Sequence, residues 1–455
     1  METTKRRSIL QLLSALGLVL GMAAALVWYW DVYVNWRPKV FPFVMVVVTA
    51  GVILLSLLVL WARGEKRAAL VWKTALSALT FTGVVLVGVS AVINNLIGNG
   101  GLAKQAATVA LPLAAAQVIV LLYLFLRGTG ALSKKLGAVL LSACLAAAVF
   151  CGVWGFVKPD PVLKNLERMD IFENSVGDAL PQTTVHDIVL AHFSTERGDG
   201  KVPKCLLVGF DGCRADALMN IVEGESGILA LKADGGKVYN AFTGGDGNKQ
   251  DTSTGPGWTT MLSGHWAEEP GGTGHGIIHN GINKTLEPKL IFTQLLEQDL
   301  AKKTAFIVSW GGHFEGDDAS YLNEMAYCEE QGLNAAWHTM PDDAGTFEKT
   351  LAEVQAAQCP DMVMCILEHC DHTGHSTGFA NKNAAYVKAF FDSDSEALEL
   401  INAVKNRESY DSEDWLLIIS TDHGGDGTGH GSQAVGCRQI FIAVNKPIVS
   451  RITDS

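Results

Sequence analysis

Acidic residues are nearly absent from the first third of the chain. Residues 1–157 contain three Asp and Glu against thirteen Lys and Arg, a net charge of +10, whereas residues 158–455 contain 44 against 22, a net charge of −22. The two parts sum to the net charge of −12 for the 455 residues. The first part is therefore an apolar block and the second an acidic soluble domain. An acidic surface argues against nucleic acid as a held partner, because phosphate backbones bind to basic patches.

The sequence also lacks any Cys-x-x-Cys pair, the spacing that many redox and zinc motifs share. Of the nine cysteines, Cys144 and Cys151 lie in the apolar block. The other seven follow it, and an odd number cannot all pair within one chain. We therefore predict buried free thiols rather than a disulfide framework.

Five apolar stretches in the first part are each long enough to span a membrane. A spanning helix needs about 20 apolar residues, because lipid offers no hydrogen-bond partner to bare backbone groups. The stretches are 8–30, 40–62, 68–96, 105–126 and 136–157. The first is too long for the core of a signal peptide and lacks an obvious cleavage site, so we expect it to remain as an anchor.

Basic residues predict how these stretches are oriented. The basic cluster at 5–7 precedes the first stretch. A second cluster, at 63–67, lies between the second and third stretches, and a third, at 127–135, lies between the fourth and fifth. The positive-inside rule then places the N-terminus in the cytoplasm. Five crossings place everything after Val157 outside, which predicts a multi-pass protein of the cell membrane. Only Lys73 lies inside a span, so an anchor is favoured over a transport path.

After a polar connecting segment, 158–200, short apolar strands alternate with helical patterns. We predict strands at 204–210, 304–310, 361–367, 415–419 and 439–444, and helices at 215–222, 289–300, 344–357 and 384–406. This alternation is typical of an α/β domain, here 201–455, with a mainly parallel sheet and helices on both faces. In such sheets ligands bind at the carboxyl ends of the strands.

Carboxylate and imidazole side chains follow three of the predicted strands. They are Asp211 after the first strand, Asp371 and His375 within the segment 368–375 after the third, and Asp422, His423 and His430 after the fourth. Asp and His together suit zinc, manganese or iron-like divalent ions, whereas an all-oxygen site suits magnesium or calcium. A single Asp after a strand is equally well explained as a helix cap. Several such clusters in register at one sheet edge predict a metal site instead.

Thr254 is the candidate nucleophile. It lies in the segment 251–264, where Pro256 fits the first turn of a helix, so that Thr254 stands just before the helix N-terminus. The helix dipole and the free N–H groups at that position favour an anion. A bound metal would lower the pKa of the hydroxyl enough to allow an alkoxide. The alternative is that Thr254 only caps the helix.

Residues from about 200 to 450 resemble the alkaline phosphatase superfamily, closest to its type I phosphodiesterase/nucleotide pyrophosphatase branch. The resemblance implies two divalent metal ions, with zinc expected and manganese possible. It assigns one ion to Asp211, Thr254, Asp422 and His423, and the other to Asp371, His375 and His430. It also implies that Asn280, at the end of Gly-His-Gly-Ile-Ile-His-Asn, hydrogen-bonds a phosphoryl oxygen.

The chain departs from that branch at two points. His430 follows Asp422 and His423 sooner than in the nucleotide pyrophosphatases, and Thr254 is followed by Gly-Pro-Gly-Trp where those enzymes usually have Phe-Pro-Asn-His. The second departure implies a different leaving-group pocket. A sulfatase is not expected, because related sulfatases need a modifiable Cys or Ser in a Cys-x-Pro-x-Arg pattern.

The resemblance implies a hydrolase that cleaves phosphate esters of a small-molecule, lipid or envelope substrate through a phosphothreonine at Thr254. Asn280 and the N–H of the Gly255 region are expected to stabilise the equatorial oxygens. Because no arginine occurs between Arg214 and Arg407, a diester is the expected substrate. Two alternatives stay open. One is a phosphoethanolamine or phosphoglycerol transferase of bacterial envelopes, whose architecture is similar. The other is an inactive binding module, which the seven filled metal-site positions disfavour.

Overall fold

The computed structural model describes residues 161–221, 224–245, 250–281 and 287–448. The five predicted membrane stretches lie outside these ranges. Within the ranges, no helix combines the length and the apolar character that crossing a membrane requires.

The described residues form ten α-helices and eight strands. The helices are α1 Pro161–Leu166, α2 Thr184–Ser194, α3 Gly227–Ala233, α4 Thr254–Ser263, α5 Ile291–Glu297, α6 Leu322–Gln331, α7 Asp343–Gln355, α8 His369–Thr377, α9 Ala384–Lys405 and α10 Val435–Arg438. The strands are β1 Leu180–Pro181, β2 Val202–Phe210, β3 Lys237–Phe242, β4 Thr304–Val308, β5 Ala335–Thr339, β6 Met362–Leu367, β7 Glu413–Ser420 and β8 Gln439–Val444.

All eight strands belong to one sheet, in the order β1-β3-β8-β7-β2-β6-β4-β5. Among the described strands five of the seven pairings are parallel, and β8 runs antiparallel to both of its neighbours. The predicted mainly parallel sheet is therefore confirmed. The strands β7, β2 and β6 are neighbours, so their carboxyl ends meet at one edge.

Helices cover both faces of the sheet, which explains why its central strands are apolar on both sides. In β2, alternate residues such as Leu206 and Val208 pack in one core with α3, α7 and α9. Their neighbours Cys205 and Leu207 pack in a second core with α2, α4 and α5. The seven cysteines of this domain are buried free thiols, as predicted.

The five predicted strands are present with ends shifted by a few residues, and β1, β3 and β5 are additional. The predicted helix at 215–222 is a short 3-10 segment, Ala215–Asn220. The segment 158–200 was expected only to connect two domains. From residue 161 it instead forms α1, β1 and α2, with Val185, Val189 and Phe193 buried against the sheet.

Candidate active site

Three neighbouring strands deliver acidic side chains to one point. Asp211 follows β2 directly, Glu368 follows β6 directly, and Asp422 lies two residues beyond β7. The Asp211 N–H donates to the Leu367 carbonyl at 2.9 Å, which joins the ends of β2 and β6. All three carboxylates are buried. The strand order therefore assembles the cluster that the sequence placed at this sheet edge.

The segment after β6 is a helix, α8, and it carries Asp371 and His375 one turn apart. His375 Nε2 lies 3.3 Å from Asp371 Oδ2. The helix approaches the loop after β2 so closely that a Cβ on Gly212 would lie 2.7 Å from Asp371 Oδ1. Gly212 also has φ of +64°, a conformation that favours glycine. A larger residue there would push Asp371 out of the cluster.

Three histidines are held in the same way, through Nδ1 and a main-chain carbonyl. His423, His375 and His430 make these contacts at 2.7, 3.0 and 3.2 Å, with the carbonyl oxygens of Gly424, Thr428 and Thr252 respectively. A ring that donates from Nδ1 keeps the lone pair on Nε2. This orientation is usual for histidines that bind a metal through Nε2.

The Nε2 atoms converge on the carboxylates. His423 Nε2 lies 3.5 Å from Asp211 Oδ1 and 3.4 Å from Asp422 Oδ2. His430 Nε2 lies 3.6 Å from Asp371 Oδ1 and faces His375 Nε2 at 3.1 Å. Two Nε2 atoms at that distance require a proton or a metal cation between them.

Burial and neighbouring charges shift the pKa values of the members of the cluster. Burial, and then the charge of Asp371, raise the pKa of Asp211 well above its usual value. Burial and the charge of Asp211 do the same to Asp422. Burial also opposes ionisation of Asp371, but the hydrogen bond from His375 and the charge of His430 outweigh it and hold its pKa at about 2. Burial lowers the pKa of His423 to about 3, which keeps this imidazole neutral.

This donor set fits divalent metal ions. Ligand atoms of Asp211, Asp422 and His423 lie within 4.8 Å of one another, as do those of Asp371, His423 and His430. Among the described residues, Asp371 Oδ1 and Asp422 Oδ2 have no hydrogen-bond partner, so their lone pairs are available to a cation. Carboxylate oxygens with neutral imidazoles are ligands that zinc prefers.

Glu368 is a member of the cluster to which the sequence analysis gave no role. Its carboxylate lies within 4.8 Å of Asp211 and Asp371, and its Oε1 is buried without a described partner. Burial, and then the charges of Asp211 and Asp371, raise its pKa well above the usual value. Its position directly at the carboxyl end of β6 was the signal that could have identified it.

Thr254 is the first residue of α4, and its hydroxyl faces the cluster. Oγ1 lies 3.4 Å from Asp211 Oδ1 and 3.4 Å from His423 Nε2. The N-cap position belongs to Ser253, so the alternative in which Thr254 only caps the helix is wrong. Thr254 is 5% exposed, which leaves its hydroxyl nearly excluded from water beside the other candidate metal ligands.

The unusual Gly-Pro-Gly-Trp sequence has a structural explanation. The Trp258 Nε1–H donates to Asp211 Oδ2 at 2.8 Å and so fixes that carboxylate. A Cβ on Gly257 would lie 2.9 Å from Asp422 Cβ, so only glycine lets α4 pack this closely. Both residues therefore shape the cluster from the helix that carries Thr254.

Asn280 lies beside the N-terminus of α4. The Gly255 N–H donates to Asn280 Oδ1 at 2.7 Å. The Gly255 N–H itself is therefore engaged by Asn280, and the contact of an N–H of the Gly255 region with a phosphoryl oxygen stays a prediction. The bond turns Asn280 Nδ2, a donor, away from the Gly255 amide.

These features define an α/β domain in which carboxylates and imidazoles surround the hydroxyl of a threonine at a helix N-terminus. Residues 205–443 match the type I phosphodiesterase/nucleotide pyrophosphatase family. The match includes more than half of the chain, and the protein belongs to this family. No curated protein sequence matches it.

The chain is also similar to several solved structures. An inactive variant of murine ectonucleotide pyrophosphatase/phosphodiesterase 5 in complex with AMP is 19% identical, with a TM-score of 0.33 over 49% of this chain and 57% of that one. The chain thus spans less than two thirds of that relative. The C-terminal periplasmic domain of EcEptC from Escherichia coli in complex with Zn is 12% identical, with a TM-score of 0.35 over 55% and 74%. Alkaline phosphatase from the Antarctic bacterium TAB5 is 12% identical, with a TM-score of 0.34 over 54% and 91%.

Proposed function

We propose that this protein is a metal-dependent phosphodiesterase that acts through a phosphothreonine at Thr254. The observation that carries the proposal is the position of Thr254 Oγ1, 3.4 Å from both Asp211 Oδ1 and His423 Nε2. A hydroxyl in that position is buried, lies at a helix N-terminus and faces a cluster of metal-type donors. The substrate is a phosphate ester of a small molecule, a lipid or an envelope component.

Two divalent ions, zinc or alternatively manganese, fit the donor groups. One would be held by Asp211, Thr254, Asp422 and His423, and the other by Asp371, His375 and His430. When bound, such ions act as Lewis acids that stabilise the charge on the attacking and leaving oxygens.

The chain itself supplies the nucleophile and the orientation. Thr254 Oγ attacks phosphorus in line, so that a new P–O bond forms while the bond to the leaving oxygen breaks. Asp211 Oδ1 and His423 Nε2, each 3.4 Å from Thr254 Oγ1, orient the hydroxyl, and its proton leaves to solvent as the new P–O bond forms. Asn280 Nδ2 donates to an equatorial oxygen. Water then attacks the phosphothreonine, which releases a phosphomonoester and regenerates Thr254.

The test is the turnover of bis(4-nitrophenyl) phosphate by purified full-length Thr254→Ala and Thr254→Ser variants. We expect turnover to collapse in the alanine variant and to persist in part in the serine variant, because serine retains a hydroxyl. Thr260→Ala is the matched control, since Thr260 is a buried threonine of the same helix whose hydroxyl bonds to Gln250 and His275. Mass spectrometry of quenched enzyme should locate phosphate on Thr254. Normal turnover in Thr254→Ala would disprove the proposal.

A transferase is the second candidate, because five apolar stretches precede the domain in the sequence. These stretches also support a proposed location in the cell membrane with the domain outside. A transferase would pass the phosphoryl group from Thr254 to an alcohol instead of water. Incubation with a lipid diester and an alcohol acceptor separates the two functions, since a new diester indicates transfer and a monoester indicates hydrolysis.

A further inference from the structure

Two segments of the chain meet beside the candidate nucleophile. One, 250–255, leads into α4, and the other, 277–281, carries Asn280. Three contacts join them: the Asp251 N–H with the Ile278 carbonyl at 3.2 Å, His279 Nδ1 with Asp251 Oδ2 at 2.6 Å, and the Gly255 N–H with Asn280 Oδ1 at 2.7 Å. His279 therefore contacts the segment that carries Thr254 through its own side chain, and the residues on either side of it contact the same segment.

The two partners of the 2.6 Å contact differ in burial. The Asp251 side chain is 5% exposed, whereas the His279 side chain is 53% exposed. A half-exposed histidine would ordinarily sample several rotamers in water. Here its Nδ1 donates to a carboxylate that the protein has withdrawn from water, and charge-assisted hydrogen bonds of this kind are short and strong. The bond therefore immobilises residue 279 from the buried side.

We infer that Asp251 and His279 are positioning residues that hold Asn280 where its amide meets a phosphoryl oxygen. The inference rests on the proposed function and adds to it. Among the described residues the Asn280 amide makes one hydrogen bond, which it accepts from the Gly255 N–H, and its backbone is held through the preceding residue, His279. A displacement of about 1 Å at a reacting centre can reduce rate about 100-fold, and one lost oxyanion donor about 100- to 1,000-fold.

The first experiment compares three substitutions of His279 in the full-length protein with bis(4-nitrophenyl) phosphate. Asparagine places its amide nitrogen near the position of Nδ1, whereas glutamine reaches toward the position of Nε2. We expect His279→Ala and His279→Gln to lower kcat about 10- to 100-fold with little change in KM. His279→Asn should stay within a few-fold of the wild type. Activity retained by glutamine and lost by asparagine would overturn the inference, because it would show that Nε2 touches the substrate.

The second experiment is a double-mutant cycle with Asn280→Ala. If His279 acts through Asn280, then His279→Ala should add less than about twofold to the loss already caused by Asn280→Ala. Additive losses would overturn the inference. Metal content should be unchanged in every variant, and the thermal midpoint should be unchanged in His279→Asn. If His279→Ala loses stability as well as activity, the His279→Asn variant separates the two effects, since it keeps the contact with Asp251.

The two proposals fail in different ways. A wild-type protein without diesterase activity would disprove the proposed function and this inference with it. An active wild type, with His279→Ala equally active, would disprove the inference and leave the role of Thr254 intact.

Discussion

Trp258→Phe tests whether the helix that carries Thr254 also tunes the candidate metal site. The substitution keeps an aromatic ring in the core but removes the indole N–H that donates to Asp211 Oδ2 at 2.8 Å. This hydrogen bond lowers the pKa of Asp211 against the opposing effect of burial. Without it the carboxylate binds a proton more readily, and metal binding must compete with that proton.

The magnitude follows from the role of such partners. Loss of a hydrogen bond that orients a metal ligand typically weakens metal affinity about 10- to 100-fold, or about 1.4 to 2.7 kcal/mol. The smaller ring also leaves space in the core, so we expect the fold to lose about 1 to 3 kcal/mol of stability. The two effects must be measured separately.

Trp415→Phe separates them. Trp415 is a buried tryptophan whose Nε1–H also donates to a carboxylate at 2.8 Å, that of Glu413, but it lies at the opposite end of the sheet. The assay is a zinc titration of metal-depleted full-length protein in competition with a chromophoric chelator, with thermal unfolding in parallel. Both variants should lose stability, and only Trp258→Phe should bind zinc more weakly. Equal zinc affinity in the two variants would refute the reasoning.

Three further predictions follow from the same cluster and from the sequence. His375→Ala should remove about one equivalent of bound metal per chain, measured by elemental analysis. His369→Ala in the same helix is the control and should keep its metal, because the His369 ring contacts Asp343 and Glu396. Unchanged metal in His375→Ala would contradict the assignment. Glu368→Gln should raise the thermal midpoint of the metal-depleted protein by about 2 to 4 °C. Because burial raises the pKa of the Glu368 carboxyl in the folded state, ionisation at neutral pH favours the unfolded state, whereas an amide cannot ionise. A lower thermal midpoint in Glu368→Gln would contradict this. A reporter fused after Ser455 should be active only outside the cytoplasm, and cytoplasmic activity would refute the predicted topology.

The central strands could be predicted from the sequence because they are buried on both faces. β2 and β6 consist largely of continuous apolar residues, and such runs between turn signals indicate interior strands. β3 begins with Lys237 and contains Asn240, so its period-two pattern is weak. β5 lies at the sheet edge with every residue half-buried, and an edge strand has no apolar run to reveal it.

The helix α8 could not be predicted from its own sequence, because it has no apolar stripe. His369–Thr377 is polar except for Cys370 and contains a glycine. Its stability comes from other parts of the chain. The Glu368 N–H at its start donates to Asp343 Oδ1 at 2.8 Å, and Phe379 packs so closely on Gly374 that a Cβ there would lie 2.3 Å away.

The members of the candidate site other than Glu368 could be predicted, but not their contacts. Residues that follow adjacent parallel strands lie at the same edge of the sheet, so their proximity can be predicted from the positions of the strand ends alone. By contrast, the bond from Trp258 to Asp211 joins residues 47 apart, and the bond from His279 to Asp251 joins residues 28 apart. No periodicity or spacing in the sequence encodes these pairs, because the first forms only when α4 packs on the sheet and the second only when the segments 250–255 and 277–281 meet.

The preference between diesters and monoesters depends on arginine. A monoester dianion carries more charge than a diester, and a guanidinium suits the bidentate geometry of phosphate. Arg214 is buried, donates to both oxygens of Asp216 at 2.9 Å and also bonds the Phe379 carbonyl. Arg407 bonds both oxygens of Glu413 at 2.9 Å. Neither guanidinium is available to clamp a phosphate.

Arg438 donates to Gln433 and to the Gly245 carbonyl, and its guanidinium lies over the ring of Phe242. If Asn280 and two metal ions hold the nonbridging oxygens, as proposed, a singly charged diester is expected to be the better substrate. We therefore expect a higher kcat/KM for bis(4-nitrophenyl) phosphate than for 4-nitrophenyl phosphate, by about tenfold or more, the equivalent of one charged hydrogen bond. Both substrates release 4-nitrophenolate, so the comparison isolates the charge on phosphorus from the leaving group. A clear preference for the monoester would refute the diesterase assignment while leaving the threonine mechanism in place, because it would require a cationic side chain other than these three arginines at the phosphate.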